Sequence, residues 1–531
     1  MKIKTKWIVN TVLFAGIVAI LAAIAIPQFA AYRGGPSTNT AYSPPIYNEV
    51  EVCPSYAKFN TEAYDYLQEH PFLQVQQNPL STFGIDVDTA SYANIRRFIR
   101  DGQMPPKDAV RIEEMINYFT YNYPKPSTDK PFSVRTELAN CPWQENHKLL
   151  SLALKGKKLA EGKRPPSNLV FLLDVSGSMD SPNKLPLLKG AMKLLVRQLS
   201  DDDRVAIVVY AGAAGLLLPS TTCTDNNKKE IVDALDYLRA GGSTHGSQGI
   251  QLAYQTAEKN FVKGGTNRVI LATDGDFNVG ITNQGDLVRL IQDKAETGIF
   301  LTVLGFGTGN LKDSTMEYLA DKGNGNYGYI DSVREARKVL VEQLTGTLVT
   351  IAKDVKIQVE FNPTEVSAYR LIGYENRSLR SEDFNDDKKD AGEIGAGHTV
   401  TALYEVVPAG KEMRLPGVDP LKYQKTSTIP TTAGELLTVK LRYKEPEGDS
   451  SKLMSVVVKD EDSAFENASN DFRFASAVAA FGMLLRDSPN KGRATYEDVI
   501  QVAQSAMDHD EQGYRSEFIN LVRHAKDIER M

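Results

Sequence analysis

Cysteine is nearly absent, with three residues in 531: Cys53, Cys141 and Cys223. That excludes a dense disulfide scaffold and leaves room for one bridge if the chain meets an oxidising compartment. No cysteine and histidine stand at zinc-ligand spacing. A basic excess is lacking too. The formal net charge is −6, so the footprint expected of nucleic-acid binding is missing. No internal repeat is evident, and there is a single long hydrophobic run. What remains is ordinary globular composition, 42% hydrophobic and 24% charged. The length exceeds what one core can hold and suggests about three domains.

The hydrophobic run spans 7–26, follows Lys2, Lys4 and Lys6, and is interrupted only by Asn10 and Thr11. That length suits a bilayer core of about 30 Å. The lysines would stay cytoplasmic, leaving the bulk of the chain periplasmic or otherwise extracytoplasmic. Ala23-Ile24-Ala25 and the small residues Ala30 and Ala31 offer weak cleavage sites. The hydrophobic part of a cleaved signal usually runs about 7–15 residues. An uncleaved transmembrane anchor over 1–33 is therefore expected ahead of export after signal cleavage. The stretch from Gly16 to Arg33 resembles the N-terminal helix of type IV pilins. Aligned on Pro27, it has Thr5 in place of the processing glycine and Asn10 in place of the glutamate. Both departures argue against pilin-type processing and assembly. Residues 34–58, rich in Gly, Pro, Ser, Thr and Asn, read as a flexible linker.

Three patterns follow the linker. Residues 59–165 combine helical periodicity at 93–100 and 109–119 with strand-like alternation at 132–138 and 148–154, an α+β region. A Pro-rich boundary at 161–167 opens a βα alternation over 166–348. Strands are expected at 169–173, 204–210, 215–218, 268–273, 299–305 and 326–330. Helices are expected at 184–199, 228–238, 247–260, 286–297, 312–322 and 333–345. This is the pattern of a Rossmann-like α/β domain with helices on both faces of its sheet. Only Ala211 to Ala214 separate strands 204–210 and 215–218, too few for a parallel crossover. The sheet should be mostly parallel with one antiparallel edge strand. Residues 349–531 turn to strand-like runs at 355–361, 366–374, 397–407 and 436–443. Helical patterns follow at 474–486, 496–506 and 514–528. They read as a β-rich module ending in helices.

The chemistry gathers at Asn168 to Met179. A continuous apolar run, Leu169 to Leu173, suits a strand buried on both faces. It stops at Asp174, followed by Ser176 and Ser178. Ligands of open α/β sheets bind beyond the carboxyl ends of the strands. Alternating hard oxygen donors there suit Mg²⁺ or Mn²⁺ ahead of zinc, with Ca²⁺ also open. Thr244, before the helix at 247–260, and Asp274, after the strand at 268–273, fall on the same rim. The set Asp-x-Ser-x-Ser, Thr, Asp resembles the metal-ion-dependent adhesion site (MIDAS) of the von Willebrand factor type A (VWA) family, over about 168–345. The resemblance implies that Asp174, Ser176, Ser178, Thr244 and Asp274 hold Mg²⁺ (or Mn²⁺ or Ca²⁺), directly or through water. It also implies an open coordination position that a Glu or Asp of a protein partner fills. Such a site binds; it does not turn over substrate. Thr82 to Tyr92 and residues 350–531 resemble flanking regions of a bacterial VWA subfamily called YfbK-like, which brings no activity with it.

Rival motifs fail on residues. Asp86-Val-Asp88-Thr-Ala90 resembles a phosphatase nucleophile loop, but Ala90 stands where Thr or Val is needed, and an Asp or Ser cap opening a helix at 91–100 is expected instead. Gly305-Phe-Gly307-Thr-Gly309 has the wrong third spacing for a dinucleotide loop. Asp383, Asn385, Asp387 and Asp390 lack the glycine and glutamate of an EF-hand, with Lys388 and Ile394 in those places. His245 has no nucleophile elbow near it. The expectation is a membrane-anchored, extracytoplasmic, metal-dependent adhesion or scaffold protein without enzymatic activity. The alternatives are an envelope or pilus-associated structural component, or an accessory subunit of a metal-dependent hydrolase.

Overall fold

A computed structural model describes residues 60–531 apart from Asp86, Thr128, 161–163, 244–245, 276–283, Glu412, 414–433, Glu461 and His509. The expected anchor and linker, Cys53, Asp86, Thr244 and His245 lie outside the described residues. Among the described residues, no helix is long and apolar enough to cross a membrane.

The chain opens with β1 (Leu73–Gln74), β2 (Leu80–Gly84), α1 (Ala90–Arg100), α2 (Ile112–Asn117), β3 (Phe132–Asn140) and β4 (Lys148–Gly156). The βα alternation then supplies β5 (Ser167–Asp174), α3 (Leu185–Gln198), β6 (Arg204–Tyr210), β7 (Ala214–Thr222), α4 (Asp225–Tyr237) and α5 (Gly246–Lys259). It continues with β8 (Thr266–Thr273), α6 (Gln284–Glu296), β9 (Ile299–Phe306), α7 (Asp313–Lys322), β10 (Tyr327–Ile330), α8 (Val333–Arg337) and α9 (Leu344–Leu348). Last come β11 (Thr350–Phe361), β12 (Val366–Ile372), β13 (Gly392–Gly395), β14 (Thr399–Pro408), β15 (Glu435–Lys444), β16 (Lys452–Lys459), α10 (Asn470–Arg486), α11 (Tyr496–Ser505) and α12 (Tyr514–Glu529).

The central sheet has the order β10-β9-β8-β5-β6-β7. Its neighbours run parallel except β6–β7, which is antiparallel. The Rossmann-like architecture and its one antiparallel edge are as expected. All of β5 is buried because each face has its own helical cover. Leu169, Phe171 and Leu173 pack with Leu188, Met192 and Leu195 of α3 and Ile231 and Leu235 of α4. Val170 and Leu172 face the opposite layer, with Ile250 and Tyr254 of α5, Ile291 of α6 and Leu319 of α7. This double burial turns alternation into a continuous apolar run. The single helix expected at 333–345 is broken by a π-helical turn, Lys338–Glu342, between α8 and α9. Ala336, Leu340, Leu344 and Leu348 all enter one core. A regular α-helix would rotate such a four-residue repeat off the core, and the wider turn absorbs the drift.

The two flanking segments interleave. One antiparallel sheet has the order β1-β12-β14-β4-β3, joining the β3–β4 hairpin to strands about 250 residues later. Every residue of β4 is buried, so the hairpin needs cover on both faces and a further neighbour; alone it would be marginal. Leu150, Leu152 and Leu154 pack against Ile357, Val359, Val439 and Leu441 of a second sheet, in which β2, β13 and β15 pair with β11. Leu149 and Ala153 point the other way, into a core shared with α1, α2 and α10 to α12.

Buried ion pairs fasten these layers to the central sheet. Arg96 of α1, 1% exposed, donates through Nη2 to Asp331 (2.6 Å) and Glu335 (2.7 Å), and through Nη1 to the Tyr118 hydroxyl (2.9 Å). Arg111 Nη1 reaches Asp313 at 2.5 Å. Removing one member of a buried ion network strands the opposite charges. Arg96→Ala should therefore lower stability by about 3–5 kcal/mol, read from the urea midpoint at unchanged helix content.

Candidate metal centre

Asp174 is the last residue of β5, where the chain leaves the sheet. Its carboxylate is 0% exposed and is held from three sides. Oδ1 accepts from the Ser176 amide at 2.9 Å, folding the chain back over it. Oδ2 accepts from the Tyr210 hydroxyl at 3.2 Å and the Thr273 hydroxyl at 3.0 Å. Tyr210 and Thr273 are the terminal residues of β6 and β8, the two neighbours of β5. Three strand ends thus converge on one carboxylate. Burial lifts the Asp174 carboxyl to about 6; hydrogen bonds from Ser176 and Thr273 oppose the rise, and the nearby Asp274 carboxylate adds to it.

The backbone turn at Ser176 brings its hydroxyl within 3.0 Å of the Ser178 hydroxyl. Ser176 is buried and Ser178 half-buried, with Gly177 exposed between them, so this edge faces solvent. The loop that leads to Thr244 is tied alongside: Gly241 N donates to Val175 O at 2.8 Å, and Gly177 N to Gly242 O at 3.0 Å. Thr244 itself lies outside the described residues. Asp274, 1% exposed, follows Thr273 directly. Its Oδ2 accepts from Lys184 Nζ at 2.7 Å and from Asn310 Nδ2 at 3.3 Å. The structure therefore gathers Asp174, Ser176, Ser178 and Asp274 at one rim.

Four residues around these were not singled out from sequence: Tyr210, Thr273, Lys184 and Asn310. Strand register would have found the first two, since Asp174 pairs with Tyr210 and Leu173 with Ala272, one residue before Thr273. Lys184 and Asn310 come from loops, and no pattern marks them.

The rival motifs take structural roles. Asp88 Oδ1 accepts from the Tyr327 amide at 2.8 Å and Ser91 Oγ donates to Ala109 O at 2.7 Å; the residue at the N-terminus of α1 is Thr89, which makes no side-chain cap, where an Asp or Ser cap is expected from sequence. Asp383 pairs with Arg380. Asp390 joins Asp354 and Glu393 with oxygens within 4.8 Å of one another, and Lys444 pairs with Asp354. Cys141 and Cys223 are buried free thiols.

The position of Asp274 depends on Gly275, which has φ +103° and sits where a Cβ would lie 2.5 Å from Asn310 O and 2.7 Å from Lys312 N. Gly275→Ala combines backbone strain with a backbone clash and should lower stability by about 1–3 kcal/mol or more. A denaturation midpoint equal to wild type would contradict this close approach.

The von Willebrand factor type A domain model matches residues 168–344, a model described as von Willebrand factor matches 58–151, and one described as uncharacterized protein YfbK, C-terminal, matches 346–528. The chain is 44% identical over 477 residues to the uncharacterized protein YfbK of Escherichia coli, covering 88% of this chain and 82% of that protein. It is 28% identical over 187 residues to the uncharacterized protein sll0103 of Synechocystis, covering 35% of this chain and 43% of that one. Among solved structures, a von Willebrand factor type A protein from Catenulispora acidiphila aligns at 17% identity and TM-score 0.42, covering 76% of this chain and 91% of that chain. With its three consecutive matches and its near full-length relative, the chain belongs to the YfbK family of von Willebrand factor type A domain proteins.

Proposed function

We propose that this protein is a membrane-tethered, extracytoplasmic binding protein whose VWA domain captures a protein partner through a divalent cation. VWA domains generally mediate protein–protein interaction, and this one carries a rim of hard oxygen donors suited to Mg²⁺, Mn²⁺ or Ca²⁺. The observation that carries the proposal is the 3.0 Å separation of the Ser176 and Ser178 hydroxyls. Neighbouring oxygens around a six-coordinate Mg²⁺ at about 2.1 Å stand about 3.0 Å apart. The two serine hydroxyls, hydrogen-bonded to each other without an ion, thus already stand at the spacing of adjacent ligands.

Asp174, Ser176, Ser178, Thr244 and Asp274 are the residues that would hold the ion. The bound ion would supply a Lewis-acidic position on the solvent side, open to a carboxylate oxygen from a Glu or Asp of the partner. The chain's own part is preorganisation. Ser176 N, Tyr210 and Thr273 fix the Asp174 carboxylate before any ion arrives, and Gly275 fixes the path of Asp274. Neutral serine hydroxyls leave the ion's charge only partly compensated, which favours an anionic partner group. The 7–26 segment with its preceding lysines supports a membrane tether and an extracytoplasmic location.

Asp174→Ala should abolish Mg²⁺ binding in titration calorimetry while the circular dichroism spectrum is unchanged; retained affinity would remove the site assignment. Capture of a partner from envelope extract should be lost in EDTA and restored by Mg²⁺. Capture that is indifferent to chelation would remove the cation-dependent mechanism.

A further inference from the structure

Lys184 is the residue immediately before α3 and one loop away from the serines, yet it is only 6% exposed. Its ammonium lies 2.7 Å from Asp274 Oδ2. The path it takes is built for it. Gly307, in the turn after β9, has φ +74°, and a Cβ there would sit 2.2 Å from Lys184 Cγ and 2.6 Å from Lys184 Cε. Only a glycine lets the aliphatic stem cross this turn. Tyr329 pins the same turn by donating from its hydroxyl to Gly307 O at 2.7 Å. A lysine on a helix start normally extends into solvent; this one is threaded inward through a glycine gap to a carboxylate of the rim.

We infer that Lys184 is a resident counter-cation of the metal centre, which weakens cation binding and in exchange keeps the loaded rim net positive toward an acidic ligand. The inference rests on the proposed metal-binding role of the rim. The charge balance gives its direction. Although its serine ligands are neutral, the formal charge of a divalent ion summed over the whole rim with Asp174 and Asp274 is zero; with the Lys184 ammonium in place, the loaded rim retains one positive unit. Like charge beside the ion opposes its entry. The same charge, in a partly desolvated setting, strengthens attraction for an incoming carboxylate. Lys184 therefore acts in opposite senses on the two binding steps. A lysine that merely supported the loop would affect both in the same sense when removed.

The test uses the full-length chain in detergent. Lys184→Met keeps the aliphatic stem over Gly307 and removes the charge; Lys184→Gln is a second neutral variant, and Lys184→Arg keeps the charge. Mg²⁺ affinity is read by titration calorimetry. Acetate, the simplest carboxylate probe, is titrated into Mn²⁺-loaded protein and read by water-proton relaxation as it displaces ion-bound water. Lys184→Met and Lys184→Gln should bind Mg²⁺ about tenfold more tightly and acetate about tenfold more weakly, with Lys184→Arg close to wild type in both. Mg²⁺ affinity that is unchanged or weaker in both neutral variants, or acetate affinity that is unchanged, overturns the inference. A wild-type chain that binds no Mg²⁺ overturns the metal-centre proposal and this inference with it. Wild-type binding with unaltered neutral variants overturns this inference alone.

Discussion

A carboxylate withdrawn from water must be hydrogen-bonded or neutralised, and the rim of this protein is arranged around meeting that demand for Asp174. The last residues of three adjacent strands contribute to it: Asp174 itself from β5, the Tyr210 hydroxyl from β6 and the Thr273 hydroxyl from β8. The Ser176 amide closes the third side of the carboxylate and in doing so sets the turn that places the two serine hydroxyls side by side. The sheet's parallel register is what makes this convergence possible, since it brings the carboxyl ends of neighbouring strands to one edge. Sheet, turn and donor geometry are consequences of one another.

The second acid of the rim is treated differently. Asp274 is balanced by a cation, Lys184, where Asp174 is satisfied by neutral donors. Two buried carboxylates handled in two ways leave the rim less negative than its composition suggests. On the proposed metal-binding role, that difference would set how strongly the site holds an ion and how attractive it remains to an acid afterwards. Around this centre the flanking segments form a sandwich and a helical layer whose strands interleave across the chain, fastened to the VWA domain through Arg96 and Arg111. The described residues of 60–165 and of 349–531 thus support the same body from two sides of the VWA domain in sequence.

Much of the central domain was legible because its signals are local. An apolar run of strand length followed by a helical period identifies a βα unit, and the short gap between 210 and 214 forces an antiparallel edge. The rim donors Asp174, Ser176, Ser178 and Asp274 were legible because each sits at the end of such a strand. Other features depend on contacts that leave no local mark. Nothing in 148–156 says that its partner is at 399–408, because antiparallel pairing is settled by which buried edge needs a neighbour. The π-helical turn at 338–342 follows from a four-residue apolar repeat that only the core makes visible. Lys184 looks like a solvated helix start; its inward path depends on a glycine more than a hundred residues away.

The central claim is that this rim holds a divalent cation among the oxygens of Asp174, Ser176, Ser178, Thr244 and Asp274. The most direct measurement is anomalous diffraction from crystals of the protein grown with Mn²⁺. The account predicts one strong anomalous peak at the carboxyl edge of the central sheet, with the Ser176 and Ser178 hydroxyls about 2.2 Å from it. A rim without a peak, or a peak only at other acidic surfaces such as Asp354, Asp390 and Glu393, would contradict it.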